Sequence, residues 1–185
     1  MQEIDTEILV KAAEGDLNSF ELIYKATAQF VYGVAYRIVH NKEDAEEVAQ
    51  EVFLTIYHKL KTFRFEASFK TWVYRITMNC AINHAKKMSR ERQGRMEYDE
   101  NLFPGKSPAS QDSGGQSDQE ALVQSLLQTL NPDQRACVVL RNIEGLSYQE
   151  IADALTININ TVRSRLKRAR MALLPLRKEV IKNEM

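Results

Sequence analysis

The residues of this chain best suited to chemistry are cations and aromatics set at helical spacing. Arg163, Arg165, Lys167, Arg168 and Arg170 crowd two turns with no carboxylate among them. Such a face repels itself unless a polyanion or solvent takes up the field. Further back, Arg75, Asn79, Asn83 and Lys87 recur every four residues, beside Trp72, Tyr74 and the pair Phe63 and Phe65 that flanks Arg64. Cations serve phosphate, aromatic faces serve unstacked bases and amides serve base edges, so this set suits single-stranded nucleic acid. Groups for catalysis are sparse. His40, His58 and His84 lack ligand spacing with one another, there is no glycine-rich phosphate loop, and spacing reveals no base beside Cys80 or Cys137. The chain therefore reads as a non-enzyme with no metal and no cofactor.

The first cationic face must be carried by a helix, and the residues before it say how. Ser147 with Glu150 three residues on is a capping box, and Ile151, Ala152 and Leu155 give the helix it opens one apolar stripe. Thr156 and Ile157 make a turn. Asn158 caps a second helix in which Val162, Leu166, Ala169 and Leu173 commit one side to a core, leaving the cations on the other. A basic run is often no more than a solvated face. Here cap, turn length, stripe and basic face agree over one segment, and a second helix with a basic face is what enters the major groove in a helix-turn-helix.

The cleanest periodicity lies near the N-terminus. Asn41 caps a helix, with Asp44 placed to answer the cap, and Ala45, Val48, Ala49, Val52, Phe53, Ile56, Tyr57 and Leu60 step by three and four. Its other face is acidic, with Glu43, Glu46, Glu47 and Glu51 toward the N-terminus, where the helix dipole favours anions. Two readings fit that face equally: dipole complementarity on a solvated surface, or a surface that binds protein.

The 185 residues carry no net charge, yet the charge is segregated. Residues 1–58 carry net −7 and residues 59–95 net +8, which predicts two kinds of surface, one that attracts nucleic acid and one that does not. The expected architecture is all-α: two small helical domains, 1–97 and 120–185, joined by a flexible linker over 98–119 in which Pro104, Gly105, Pro108, Gly114 and Gly115 interrupt the pattern. Before the acidic helix, Ile4 to Ala13 and a longer run from Asp16 to about His40 read as helices. In the second domain a helix from about Asp118 precedes one opened by Asn131 and Pro132 and ended by Gly145, while Pro175 is expected to kink or stop the last helix, leaving 176–185 as a fraying tail. Cys80 and Cys137 fit buried thiols of a reducing cytoplasm. No apolar run approaches a membrane span and the N-terminus lacks a signal peptide's cations, so a soluble cytoplasmic chain with no direct membrane insertion is expected.

Taken together, three segments resemble the sigma-70 family of transcription initiation factors, in its compact extracytoplasmic-function (ECF) group. Asp44 to Phe53 looks like the family's motif for binding core RNA polymerase, Phe63 to Ile76 like its minus-ten reading and melting segment, and Leu146 to Leu173 like its minus-thirty-five reading helix-turn-helix. The resemblance implies that Asp44, Glu47, Gln50, Glu51 and Phe53 dock on the coiled coil of the large polymerase subunit. It implies that Phe63, Arg64, Trp72, Tyr74, Arg75, Asn79, Asn83, Lys86 and Lys87 meet the minus-ten element, with a flipped base received near Phe63. Thr161, Arg163, Ser164, Lys167 and Arg168 would face the minus-thirty-five groove, where Arg can read guanine. It further implies promoter DNA as duplex and melted strand, core polymerase and an anti-sigma factor as partners.

The chain departs from the family's pattern at four places, one of them three residues long. Thr156 and Phe65 stand where glycine is frequent, Asn158-Ile159-Asn160 replaces commoner turn residues, and Pro175 is unusual. Without the resemblance, a helix-turn-helix repressor or activator with a sensing or dimerising N-terminal domain is the main competitor, but it has no use for a loop of aromatics and cations. An interaction protein without DNA contact does not explain two separate basic helices.

Overall fold

The computed structural model describes residues 4–65, 68–102 and 118–183, and all the regular structure among them is helical. Short polar side chains start the helices. Asp5 caps α1 (Thr6–Ala13), Asp16 caps α2 (Leu17–Val39) and Asn41 caps α3 (Lys42–Lys59). Each accepts a hydrogen bond from a backbone N–H that the helix leaves unpaired. A 3-10 turn over Leu60–Thr62 leads to the aromatic loop, and α4 (Phe69–Leu102) follows. The second half is α5 (Asp118–Gln128), α6 (Pro132–Val138) running on into a π-helical turn (Val139–Ile143), α7 (Tyr148–Leu155) and α8 (Ile159–Asn183).

Chain reversals sit where the backbone turns left-handed. Gly15 (φ 102°) and Gly145 (φ 76°) do this without a Cβ to clash, whereas His40 (φ 59°), Phe65 (φ 58°) and Thr156 (φ 54°) do it with side chains. The two positions at which the family resemblance expects glycine are therefore left-handed residues, and that conformation is the physical reason for the preference.

Helices α2, α3 and α4 form the core of the first domain, burying Ile23, Val31, Val34 and Ile38 against Val48, Val52 and Ile56 and against Val73, Met78 and Ala81. In the second domain Leu140, Ile151, Val162, Leu166 and Ala169 make the core beneath the helix-turn-helix. Cys80 and Cys137 are buried free thiols, and burial pushes each up to about 11.

Three expectations need correction. Helix α4 continues to Leu102, so the boundary placed after residue 97 falls inside a helix; residues 103–117 of the expected linker lie outside the described residues. Pro175 does not stop α8, whose backbone stays helical to Asn183. A proline removes one N–H donor, and a long helix already anchored by Val162, Leu166 and Ala169 tolerates that loss near its end. Asp44, placed in the sequence to answer the Asn41 cap, instead turns its carboxylate to His84 on α4, 3.1 Å away.

Candidate functional site

The capping box at Ser147 is formed in both directions: the Glu150 N–H donates to Ser147 Oγ (3.2 Å) and the Ser147 N–H donates to Glu150 Oε2 (2.7 Å). That reciprocal pair fixes where α7 begins, and the contact holds the Glu150 carboxyl below its ordinary range. Thr156 closes α7 in the left-handed conformation, and Asn158 Oδ1 accepts from the Asn160 N–H (2.8 Å) to open α8. On α8, Arg163, Lys167 and Arg168 are exposed while Thr161 and Ser164 are half-buried. Asn160 Oδ1 accepts from Arg163 (3.0 Å), which orients one guanidinium at the start of the helix. Arg165, read in the sequence as part of the same basic face, turns inward instead and pairs with Asp133 at the start of α6 (3.2 Å).

The loop aromatics are neither free nor fully core. Phe63 is half-buried, with its ring centroid 4.7 Å from Phe65, 5.0 Å from Trp72 and 5.9 Å from Phe69. Phe69 is buried and Trp72 half-buried, while Phe65 is 50% exposed. The result is a small aromatic wall that begins in the core and ends in solvent. Arg64 stands beside it, exposed. Along α4, Arg75, Asn79, Asn83 and Lys87 are all exposed, so the four-residue spacing does form one stripe.

Tyr74 behaves differently from the rest of that set. It is 3% exposed, its ring lies 4.5 Å from Phe30, and its hydroxyl donates to Glu144 Oε2 (2.7 Å), so in this arrangement no base can reach it. Burial, first, and then the carboxylate hold its phenol well above the usual range. Lys86 is also engaged, through Asp133 at 2.8 Å.

In the first domain, α2 and α3 border an open groove of ≈ 840 Å³. Tyr24 and Leu17 of α2 and Leu54 and Tyr57 of α3 line it, and they are 48%, 66%, 61% and 42% exposed. Apolar side chains so exposed and so close together form the kind of contiguous patch that interaction surfaces present. Glu46 and Gln50 border the groove, and Glu47 and Glu51 are exposed on the same helix. Phe53 forms its floor: it is 9% exposed, with its ring 4.5 Å from Tyr24. Sequence reasoning placed Phe53 and Tyr57 in one core stripe and passed over Leu54, whose position off that stripe was the available signal.

Asp44, Glu47 and His84 bring ligand atoms within 4.8 Å of one another, a proximity that spacing among the histidines alone does not disclose. His84 is buried, and its Nε2 faces the Asp44 carboxylate at 3.1 Å, a close contact rather than a well-aligned hydrogen bond. The set is accounted for as a tie between α3 and α4.

The residue that sequence reasoning missed most completely is Arg135, 9% exposed on α6. Its guanidinium donates to the carbonyls of Leu127 (2.9 Å), Leu130 (2.9 Å) and Gln128 (3.3 Å) at the end of α5, and to Ile38 at the end of α2. One buried cation thus satisfies the unpaired carbonyls of two helix C-termini, where the dipole also favours it. Burial lowers its pKa to about 10, which leaves it charged at neutral pH. Beside it His40 Nδ1 meets Gln124 Oε1, and burial with the neighbouring Arg135 lowers His40 to about 4.

These surfaces define the kind of protein. Two family models match the chain, Sigma-70 region 2 over residues 23–91 and Sigma-70, region 4 over residues 120–173, so the first domain and the helix-turn-helix correspond to the two conserved regions of a transcription initiation factor. The chain is similar to the RNA polymerase sigma-H factor of Pseudomonas aeruginosa, with 35% identity over 179 residues covering 93% of each protein. It is also similar to the ECF RNA polymerase sigma-E factor of Escherichia coli K12, with 32% identity over 181 residues covering 93% of this chain and 94% of that one. The chain belongs to the sigma-70 family and, within it, to the ECF group of alternative sigma factors. Its fold matches that of CnrH solved with the cytosolic domain of CnrY (TM-score 0.65, 24% identity, 93% of this chain and 96% of that one). It also matches RpoE solved with the anti-sigma factor NepR from Bartonella quintana (TM-score 0.62, 23% identity, 86% and 96%). Among the described residues no helix is long and apolar enough to cross a membrane.

Proposed function

We propose that this chain docks on core RNA polymerase through the α2/α3 groove, directs the enzyme to promoters through two DNA-facing surfaces, and helps open the minus-ten region. The observation that carries the proposal is the groove itself. It joins half-exposed apolar side chains, bordered by Glu46 and Gln50, to a helix on which Glu47 and Glu51 are exposed as well, which suits an apolar and basic helical partner such as the polymerase coiled coil. Phe53 supports this surface from below and Asp44 from the side through His84.

In this reading the wall of Phe63, Phe65 and Trp72 receives an extruded base, whose loss of stacking costs a few kcal/mol and is offset by stacking on protein aromatics. Arg64, Arg75 and Lys87 hold the backbone, and Asn79 and Asn83 meet base edges. Arg163, Lys167 and Arg168 contact the minus-thirty-five groove, with Thr161 and Ser164 close enough to the helix start to add polar contacts. Melting draws on binding energy and the polymerase performs the bond chemistry, so no residue here acts as a catalyst. A partner of the anti-sigma kind, as NepR is in the RpoE complex, would cover the same surfaces.

The test is co-elution of the purified chain with core polymerase, beside a variant carrying Glu47→Lys, Gln50→Lys and Glu51→Lys. Wild-type binding and its loss in the folded variant are expected. A folded wild-type chain that fails to bind polymerase, yet shifts duplex DNA alone, would instead favour a repressor or activator.

A further inference from the structure

We propose that Asn160 sets the sequence preference of the helix-turn-helix by holding Arg163 in position to read one guanine of the upstream promoter element. The idea rests on the sigma-factor reading and deepens it, since it names a residue that selects a base at that site. Asn160 belongs to the three-residue departure from the family's pattern that opens α8, and its place is fixed twice. Its backbone N–H donates to Asn158 Oδ1 (2.8 Å), and its own Oδ1 accepts from Arg163 Nη1 (3.0 Å), three residues on and on the same face of the helix. Both side chains are exposed.

The first turns of the second helix are the part of a helix-turn-helix that meets base edges. The other polar side chains there are less suited to select a base. Ser164 Oγ donates to the Thr161 carbonyl (2.9 Å), which spends its one donor on its own helix. Arg165 turns inward to Asp133. Lys167 and Arg168 are exposed, and among the described residues no hydrogen bond or ion pair fixes either of them.

Arg163 differs from all of these. One of its five N–H donors goes to Asn160, and the rest of the planar fork is left for the paired N7 and O6 acceptors of guanine. An unheld arginine loses much rotamer freedom on docking and can turn aside to a phosphate, whereas a held one has lost part of that freedom before DNA arrives. Phosphate contacts carry no sequence information, so the pair raises discrimination more than overall attraction. With Oδ1 engaged by Arg163, Asn160 lacks the free acceptor it needs to read adenine by a paired contact. Its role is that of a positioning residue.

The experiment uses the full chain on core polymerase with a pool of duplex promoters randomised over the upstream element, followed by binding to single templates. Wild type should select a guanine at one position and lose about tenfold or more in affinity when that base pair is changed. Asn160→Ala should cut this ratio by about threefold, with the preferences at other positions and the salt slope unchanged. Asn160→Asp keeps an acceptor for Arg163 and should restore the ratio, although its added charge weakens binding to every template alike. In an Arg163→Ala background, Asn160→Ala should change nothing further at that position. An unchanged ratio in Asn160→Ala, or a loss that persists in the Arg163→Ala background, overturns the proposal; the second result means that Asn160 reads a base itself. Selection of an upstream element without such a guanine overturns it as well. A wild-type chain that selects no promoter element with polymerase overturns the sigma-factor reading beneath it.

Discussion

The two basic helices hold their cations in different ways. On α8, Arg163, Lys167 and Arg168 are exposed and stand ready for a polyanion, and only Arg165 is drawn inward. On α4 the outer stripe of Asn79, Asn83 and Lys87 is open too, but Tyr74, Arg75 and Lys86 already have partners in the second domain. The difference teaches that a charge pattern in sequence reports which surfaces can meet nucleic acid, while tertiary partners decide which are free to do so. One basic face is exposed, and the other is partly engaged.

Breaking the joint between the domains should have the largest effect. Arg135→Met removes the buried cation and leaves carbonyls at the ends of α2 and α5 without a donor, so a loss of about 3 kcal/mol is expected, measured as a fall in urea midpoint. If Arg135 served only the second domain, the variant would unfold earlier without any change in the distance between domains.

Acid should loosen the same joint. His40 is held near 4 in the folded chain and returns to about 6.5 when exposed. The exposed state therefore takes up the proton first, so the contribution of this site is complete above about pH 6.5 and is lost progressively as pH falls toward 4, by about 1.4 kcal/mol per unit. Arg135 of α6 and Gln124 of α5 face the ring. Scattering or denaturation profiles between pH 7 and about 5 should show the change, and His40→Asn, which tolerates the left-handed backbone, should flatten it.

The exposed reader should respond to smaller cuts. Arg168→Ala is expected to lower affinity of the polymerase-bound chain for its promoter by about 1–3 kcal/mol if it reads a base, with a sequence-dependent loss. If it meets phosphate, the loss is uniform and the salt slope falls by about 1. Smallest of all, Thr156→Gly should relieve the left-handed strain at the turn and stabilise the second domain by roughly 0.5–1 kcal/mol in chemical denaturation, without altering the surface of α8.

Most of the fold and the elements of the site were legible in the sequence because their causes are local. Caps at Asn41, Asn131 and Ser147, the stripe on α3 and the turn at Thr156 each rest on neighbours within a few residues. The glycine-preferring positions at Phe65 and Thr156 acquire a reason once their φ values are known. What could not be read depends on distance along the chain. Tyr74 meets an acid 70 positions away and Arg135 a carbonyl 97 positions away. A partner that is backbone, as it is for Arg135, leaves no mark in sequence at all. The groove between α2 and α3 was missed for a related reason: Leu54 looks like an ordinary apolar residue until its 61% exposure beside Tyr24 is seen.

The measurement that tests the central claim most directly is run-off transcription from a pool of randomised upstream sequences, with core polymerase in the presence and absence of the chain. The account predicts transcripts only with the chain, selected from templates that share two separate elements, and a loss of that selection when Glu47, Gln50 and Glu51 are changed to lysine. Enrichment of a single palindromic site by the chain alone, with no chain-dependent transcript, would contradict it.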